Sequence, residues 1–232
     1  MTPPLRLACI NADAPPLFDR AEPGRPRTGY EPDAAALVAA ELGRPLEWVY
    51  VPWAQFVPAL DAHAVDAVWC GQGITEARRE RVGFTRPYAV FNESVLVRRA
   101  AAVTCPEDLR GLRVAAIAGS TNMALAETFD GAVTVPFGGD GEDVFGDMLA
   151  ALRSGRVDAV VDDDVVFVPL DADPAFSVAF TVPTGNRWGV AVAKDRPETL
   201  QAIDSALAAV VSDGRLRKAW QSWMPNLPYP FA

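Results

Sequence analysis

A frame of ten residues occurs twice in this 232-residue chain. Ala-Leu-x4-Val-Asp-Ala-Val runs from Ala59 to Val68 and returns 92 positions later, from Ala151 to Val160. Each copy closes an amphipathic helix and feeds a short apolar strand, so the repeat predicts two similar α/β lobes. The segments after the two strands differ in charge. The first copy leads through Gly71-Gln72-Gly73-Ile74-Thr75-Glu76-Ala77, a Gly-rich turn, to Arg78; the second runs into Asp162-Asp163-Asp164. Open α/β sheets hold ligands at the carboxyl ends of their strands. One cationic end and one anionic end suit a small zwitterion.

Around the first copy the pattern predicts a strand at Leu5 to Ile10, a loop from Pro15 to Arg27 and a helix from Pro32 to Leu42. Next come a strand at Leu46 to Val51, a helix from Trp53 to Ala62 and a strand at Val65 to Trp69, which makes βαβαβ and a parallel sheet. Around the second copy, strands at Val114 to Ile117 and Val133 to Val135 alternate with helices from Thr121 to Phe129 and from Glu142 to Arg153. Strands at about 92 to 98 and 188 to 193 are the expected crossings between lobes. The expected division is residues 1–97 with 192–232 in lobe 1 and 98–191 in lobe 2. Helices near Pro197 to Val211 and Arg215 to Trp223 finish the chain.

Composition removes several functions. A net charge of −9 argues against nucleic acid, whose phosphates require clustered Lys and Arg. Cys9, Cys70 and Cys105 are dispersed and lack metal-ligand spacing, so neither a disulfide framework, a metal site nor a cofactor is expected. No apolar run approaches the roughly 18 residues of a membrane span. Met1-Thr2-Pro3-Pro4 runs almost directly into the first strand without a visible signal peptide. The chain is therefore either cytoplasmic or shorn of a targeting segment, and a monomer is the simplest expectation.

Each residue type that could carry chemistry has a plainer role beside the functional one. Arg78 is either a solvated charge among Arg79 and Arg81 or a planar fork that grips a carboxylate two-to-two. Gly119-Ser120-Thr121 opens a helix, as a simple cap or as an anion site built on backbone amides. Of the three aspartates, one is expected to cap the next helix and another can hold an ammonium; a metal is the minor alternative. Phe18, Trp53, Trp69, Phe91 and Trp188 lie near strand ends, where rings either pack in the core or stack on a ligand. Trp53, which starts a helix directly after a strand, is the best candidate for stacking. His63, the only histidine, sits in the tight turn of the first frame, away from the strand mouths, and no nucleophile-histidine arrangement can be assembled around it.

Taken in order, Gly29-Tyr30-Glu31-Pro32-Asp33, Trp53, Asp66-Ala67-Val68, Ile74-Thr75-Glu76-Ala77-Arg78, Val82-Gly83-Phe84-Thr85-Arg86-Pro87-Tyr88, Gly119-Ser120-Thr121, Gly155-Arg156-Val157-Asp158-Ala159-Val160, Trp188-Gly189-Val190 and Asp213-Gly214 resemble the extracellular solute-binding proteins of polar amino acid ABC importers. The resemblance runs from about Leu5 to Trp223. It implies the type II periplasmic binding protein fold: two similar open-sheet α/β lobes joined by two crossing strands, a Venus-flytrap that closes on its ligand by a hinge. Arg78 would hold the ligand α-carboxylate with the backbone of Gly71, Gln72, Gly73 and Thr75 and with Ser120 and Thr121; Asp163 would hold the α-ammonium, and Trp53 would pack on the side chain. Gly73 stands where such proteins usually carry Ser or Thr, Ala14 where an aromatic is common and Asn11 where Asp is frequent. Those departures imply a different, roomier pocket, with Gln72, Asn11, Asp13, Asn186 and Arg187 setting side-chain specificity and Phe18 among the ligand-binding residues.

The resemblance further implies a membrane permease as partner, a periplasmic or extracellular location, and no catalysis. The alternative is an enzyme on the same fold, similar to cyclohexadienyl dehydratases, with one of Asp162 to Asp164 as general acid.

Overall fold

The structure, a computed structural model, describes residues 2–138 and 143–231 and divides into two compact units. Unit 1 comprises residues 1–11, 16–90 and 187–232; unit 2 comprises 12–15 and 91–186.

In unit 1, β1 (Leu5–Cys9) lies parallel between β2 (Leu46–Tyr50) and the two-residue β3 (Ala67–Val68). β8 (Phe176–Ala193) pairs antiparallel with β3, Val68 facing Ala191. The helices are α1 (Tyr30–Glu41), α2 (Phe56–Asp61) behind a 3-10 turn at Trp53–Gln55, α3 (Glu76–Arg79), α7 (Pro197–Ser212) and α8 (Arg215–Trp223). β1 is buried along almost its whole length, as a strand covered on both faces must be. Leu7, Val38, Leu60, Trp69, Tyr88, Trp188, Leu207 and Trp220 fill the core, with Trp69 and Tyr88 rings 4.9 Å apart and the Trp220 edge 5.4 Å from Tyr30.

Unit 2 repeats the plan. β5 (Arg113–Ile117) lies parallel between β6 (Val133–Phe137) and β7 (Ala159–Asp163), and β4 (Val82–Arg98) pairs antiparallel with β7. α4 (Thr121–Ala126), α5 (Val144–Ser154) and the short α6 (Asp164–Phe167) complete it around a core that includes Val95, Leu109, Val114, Met123, Phe129 and Val161. Glu142, expected to begin α5, lies outside the described residues; Asp143 caps that helix by accepting from the Gly146 amide at 3.0 Å.

The repeated frame has a structural reason in both units. Asp66, just before β3, accepts from the Arg6 amide at 3.1 Å and pairs with the Arg6 and Arg44 guanidiniums, while its own amide donates to the Arg6 carbonyl. Asp158, just before β7, does the same to Arg113 of β5, accepting from its amide at 3.0 Å and from its guanidinium, with Arg98 as the extra cation. The fifth frame position is a left-handed helix end in both copies, Gly155 at φ 76° and His63 at φ 53°. The helix-to-strand turn is thus the same object twice.

The two long strands depart from expectation. β4 begins ten residues before Asn92 and β8 twelve before Trp188, because Pro87 and Pro183, together with Gly83 and Gly185, read as breaks although both strands run through them. The Trp53 helix also splits into a 3-10 turn and a short α-helix, and the helix after Ser120 ends at Ala126 rather than Phe129.

Candidate functional site

The turn after β3 is held from three sides. Gly71 has φ 56°, a left-handed conformation that calls for glycine, and a Cβ there would rest in ordinary contact, 3.4 Å from the Trp188 ring. Its amide donates to Glu31 Oε1 at 2.8 Å, and the Tyr88 hydroxyl donates to the same oxygen. Gly73 bridges to Trp188, the Gly189 amide donates to the Gln72 carbonyl at 3.0 Å and the Ile74 amide to Arg187 at 2.7 Å. Thr75 then caps α3, its hydroxyl accepting from the Arg78 amide at 3.2 Å. The Arg78 guanidinium donates from Nη1 to the Gly73 carbonyl at 2.9 Å and lies 5.7 Å from the Trp53 ring centre. Arg78, Thr75, Gly73 and Trp53 are therefore one cluster, with a cation set on a stiff turn.

The other predicted residues of unit 1 have contacts of their own. Gln72 is buried and reaches the Cys70 carbonyl at 3.4 Å. Asn11 Oδ1 accepts from the Ala21 amide at 2.8 Å and so ties down the Pro-rich loop. Phe18 is buried beneath the Arg27 guanidinium, 4.4 Å from its ring centre. Trp69 and Trp188 are core, and the His63 imidazole makes a surface pair with Asp195 at 3.3 Å.

In unit 2, Ser120 caps α4, accepting from the Met123 amide at 3.0 Å and donating to the Ile117 carbonyl at 2.7 Å. The Thr121 hydroxyl accepts from the Asn186 amide group at 2.9 Å. Asp163 occupies the cap position of α6, yet its side chain makes no cap bond. Its carboxylate and that of Asp162 instead meet Asn122, whose Nδ2 donates to Asp162 at 2.9 Å and to Asp163 at 3.5 Å. The expected capping aspartate is absent because these carboxylates turn inward. Burial raises the Asp162 carboxyl to about 7, and the Glu93 carboxylate beside it adds to the rise; burial, then Asp162 and Glu93, push Asp163 up as well.

Three participants carried no signal of their own in the sequence. Glu31 reads as a first-turn helix residue, but burial raises its carboxyl to about 6 against the bonds from Tyr88 and Gly71 that favour its charge. Asn122 comes directly after two residues that attract attention, and Glu93 hides in an apolar run. Cys9 and Cys70, dispersed in the sequence, come together in the fold: because β3 lies beside β1, both are buried with Glu31, their ligand atoms within 4.8 Å of one another. Three such donors match a thiolate-carboxylate set for a borderline metal, with the Arg27 cation as neighbour.

Similar proteins carry the same plan. The arginine-binding protein 1 of an ABC transporter in Escherichia coli (strain K12) is 27% identical over 224 residues, covering 94% of this chain and 89% of that protein. An ancestral arginine-binding protein bound to arginine superposes with a TM-score of 0.85 at 29% identity, covering 95% of this chain and 97% of that one. The ancestral amino acid-binding protein AncCDT-1, a precursor of cyclohexadienyl dehydratase, does so with a TM-score of 0.82 at 29% identity over 94% of each chain. The sequence pattern of one family matches residues 7–226, and the chain belongs to the bacterial extracellular solute-binding proteins, family 3.

Proposed function

We propose that this chain is the solute-capturing component of an ABC importer, taking an amino acid or similar small zwitterion outside the cytoplasm and passing it, as a monomer, to a membrane permease. The observation that carries the reading is Arg78: a guanidinium on a Thr75-capped turn, steadied by Gly73 and Trp53, is preorganised to grip a carboxylate. Relatives named for arginine binding support an amino acid as the solute. In this reading Gly71, Gln72, Gly73 and Thr75 supply further contacts to the carboxylate, Trp53, Asn11 and Phe18 shape the side-chain pocket, and Asp163, Ser120 and Thr121 bind the ammonium end and close the ligand off.

A thermal-shift screen of refolded, ligand-stripped protein against the amino acids tests it. Ligand at 100 times its dissociation constant adds about 2.7 kcal/mol of stability. A shift that disappears in Arg78→Ala and Asp163→Ala supports the reading; a folded protein that no amino acid stabilises sinks it. Capture by hinge closure belongs to the same proposal, and an unchanged radius of gyration in X-ray scattering on adding the hit would count against it.

A second reading is favoured by one observation. Burial raises the Asp162 and Asp163 carboxyls above the usual carboxylate range, the direction a general acid requires, and AncCDT-1 is described as a precursor of a dehydratase. Release of phenylpyruvate from prephenate, lost in the variants Asp162→Asn or Asp163→Asn, would move the protein to the enzymes; no turnover leaves it a binding protein.

A further inference from the structure

Glu93 interrupts the apolar run of β4, and the register gives it a specific neighbour. Glu93 stands directly opposite Asp163 in the antiparallel pairing with β7, and Ser94 opposite Asp162. Directly opposed residues project to the same face of a sheet, and like charges so placed repel. Both side chains are buried, Glu93 at 3% exposure and Asp163 at 7%. The Thr121 and Thr184 hydroxyls beside the Glu93 carboxyl favour its charged form against burial, and Asn122 Nδ2 serves the two aspartates. After those bonds, Glu93 Oε1, Asp163 Oδ1 and Asn122 Oδ1 remain buried without a hydrogen-bond partner. Among the described residues of this unit, Asp130, Asp158 and Asp173 form ion pairs with arginines.

Three buried acceptors around paired carboxylates define their complement. A hydroxyl or amide would bring an acceptor of its own, and a guanidinium is planar with five donors. A primary ammonium offers three N–H donors, no acceptor and a positive charge on one atom. Resting on the amino acid reading above, we propose that Glu93 is a second ligand carboxylate beside Asp163. Together with Asn122 Oδ1, the two receive the ligand's primary ammonium. Amines that are acylated or quaternary lack the donors and are excluded.

Calorimetry on the ligand-stripped full chain tests this, using whichever of L-arginine, L-glutamine, L-histidine and L-lysine binds tightest, and its Nα-acetyl derivative. The variant Glu93→Gln keeps shape and loses charge; it is expected to weaken the parent amino acid about 10- to 100-fold, the effect of one charge-assisted hydrogen bond. The loss caused by Asp163→Asn should be smaller in the Glu93→Gln background than in the wild type, because both groups act on one nitrogen. The Nα-acetyl compound should not bind. A folded Glu93→Gln variant with wild-type affinity, beside an Asp163→Asn variant that has lost it, overturns the role of Glu93 and leaves the amino acid reading standing. If Glu93→Gln does not fold, Glu93→Asp replaces it, and wild-type affinity there overturns the role equally. Should the wild type bind none of the four, or Arg78→Ala and Asp163→Asn bind as well as the wild type, the amino acid reading itself falls and this inference with it.

Discussion

The Arg78 guanidinium returns to its own turn, donating to the Gly73 carbonyl five residues earlier at 2.9 Å. That bond fixes one nitrogen of the fork. The variant Arg78→Lys, which keeps the charge but has no planar pair of donors, should lose about 10- to 100-fold in affinity for the ligand found by screening, while its melting temperature without ligand stays near wild type. Calorimetry on the lysine variant decides it: wild-type affinity would mean that charge alone matters at this position.

Gly71 holds a left-handed backbone, φ 56°, that a residue with a side chain adopts only under strain. Alanine there should cost about 1–3 kcal/mol of stability, and it should also weaken ligand binding by moving the amide that Glu31 receives. Urea unfolding of the purified Gly71→Ala variant gives the number, and a midpoint unchanged from wild type would contradict the geometry.

His63 occupies the same left-handed position without being glycine. Its pair with Asp195 is solvent-exposed and contributes little. The variant His63→Gly should therefore be more stable than wild type by about 0.5–1 kcal/mol, the relieved backbone strain exceeding the extra freedom gained by the unfolded chain. A lower melting temperature would show that the imidazole contributes more than its exposure suggests.

Stability should fall on both sides of a maximum near pH 4 to 5 in the absence of ligand. The Arg113 hydrogen bond holds the Asp158 carboxyl at about 2, below its unfolded value near 4; its contribution is complete above pH 4 and drains away as pH falls to 2. Asp162 is opposite in sign. Burial raises it to about 7, so the folded chain holds a proton that the unfolded chain has lost, and stability declines as pH rises from about 4 to 7. Glu31, raised to about 6, adds to that decline between about 4.5 and 6. Urea midpoints across this range should flatten on the acid side in Asp158→Asn and on the neutral side in Asp162→Asn.

The thiols offer a check on packing. Cys9 and Cys70 are buried, and Cys105 is half-exposed. An alkylating reagent should modify Cys105 in the native protein and reach the other two only on unfolding, as mass spectrometry of digested protein would reveal; early labelling of Cys70 would contradict its burial.

Local pattern was enough for the alternating core of both units. The βαβαβ runs, parallel pairing and the cap at Ser120 arise from periodicity, Gly and hydroxyl placement, which act within a few residues. What stayed hidden depends on register and adjacency. Pro87 and Pro183 looked like strand ends because nothing local reveals that the ladder tolerates them. Glu93 meets Asp163, and Cys9 meets Cys70, only once strands 60 to 70 residues apart are laid side by side. Arg78 and the Asp162–Asp164 run could be read as candidates, since each follows a copy of the repeated frame, and the resemblance singled out Asp163; Glu31 and Asn122 could not.

The aspartates of the frame, Asp66 and Asp158, lock the amino ends of their sheets. The carboxyl ends take no part in that lock: one carries Gly71 to Arg78, the other Asp162 and Asp163. In the proposed reading, holding a sheet and choosing a solute fall to opposite ends of the same strands. A chain arranged this way can exchange its recognition loops wholesale, towards another solute or towards chemistry, without renegotiating how it folds.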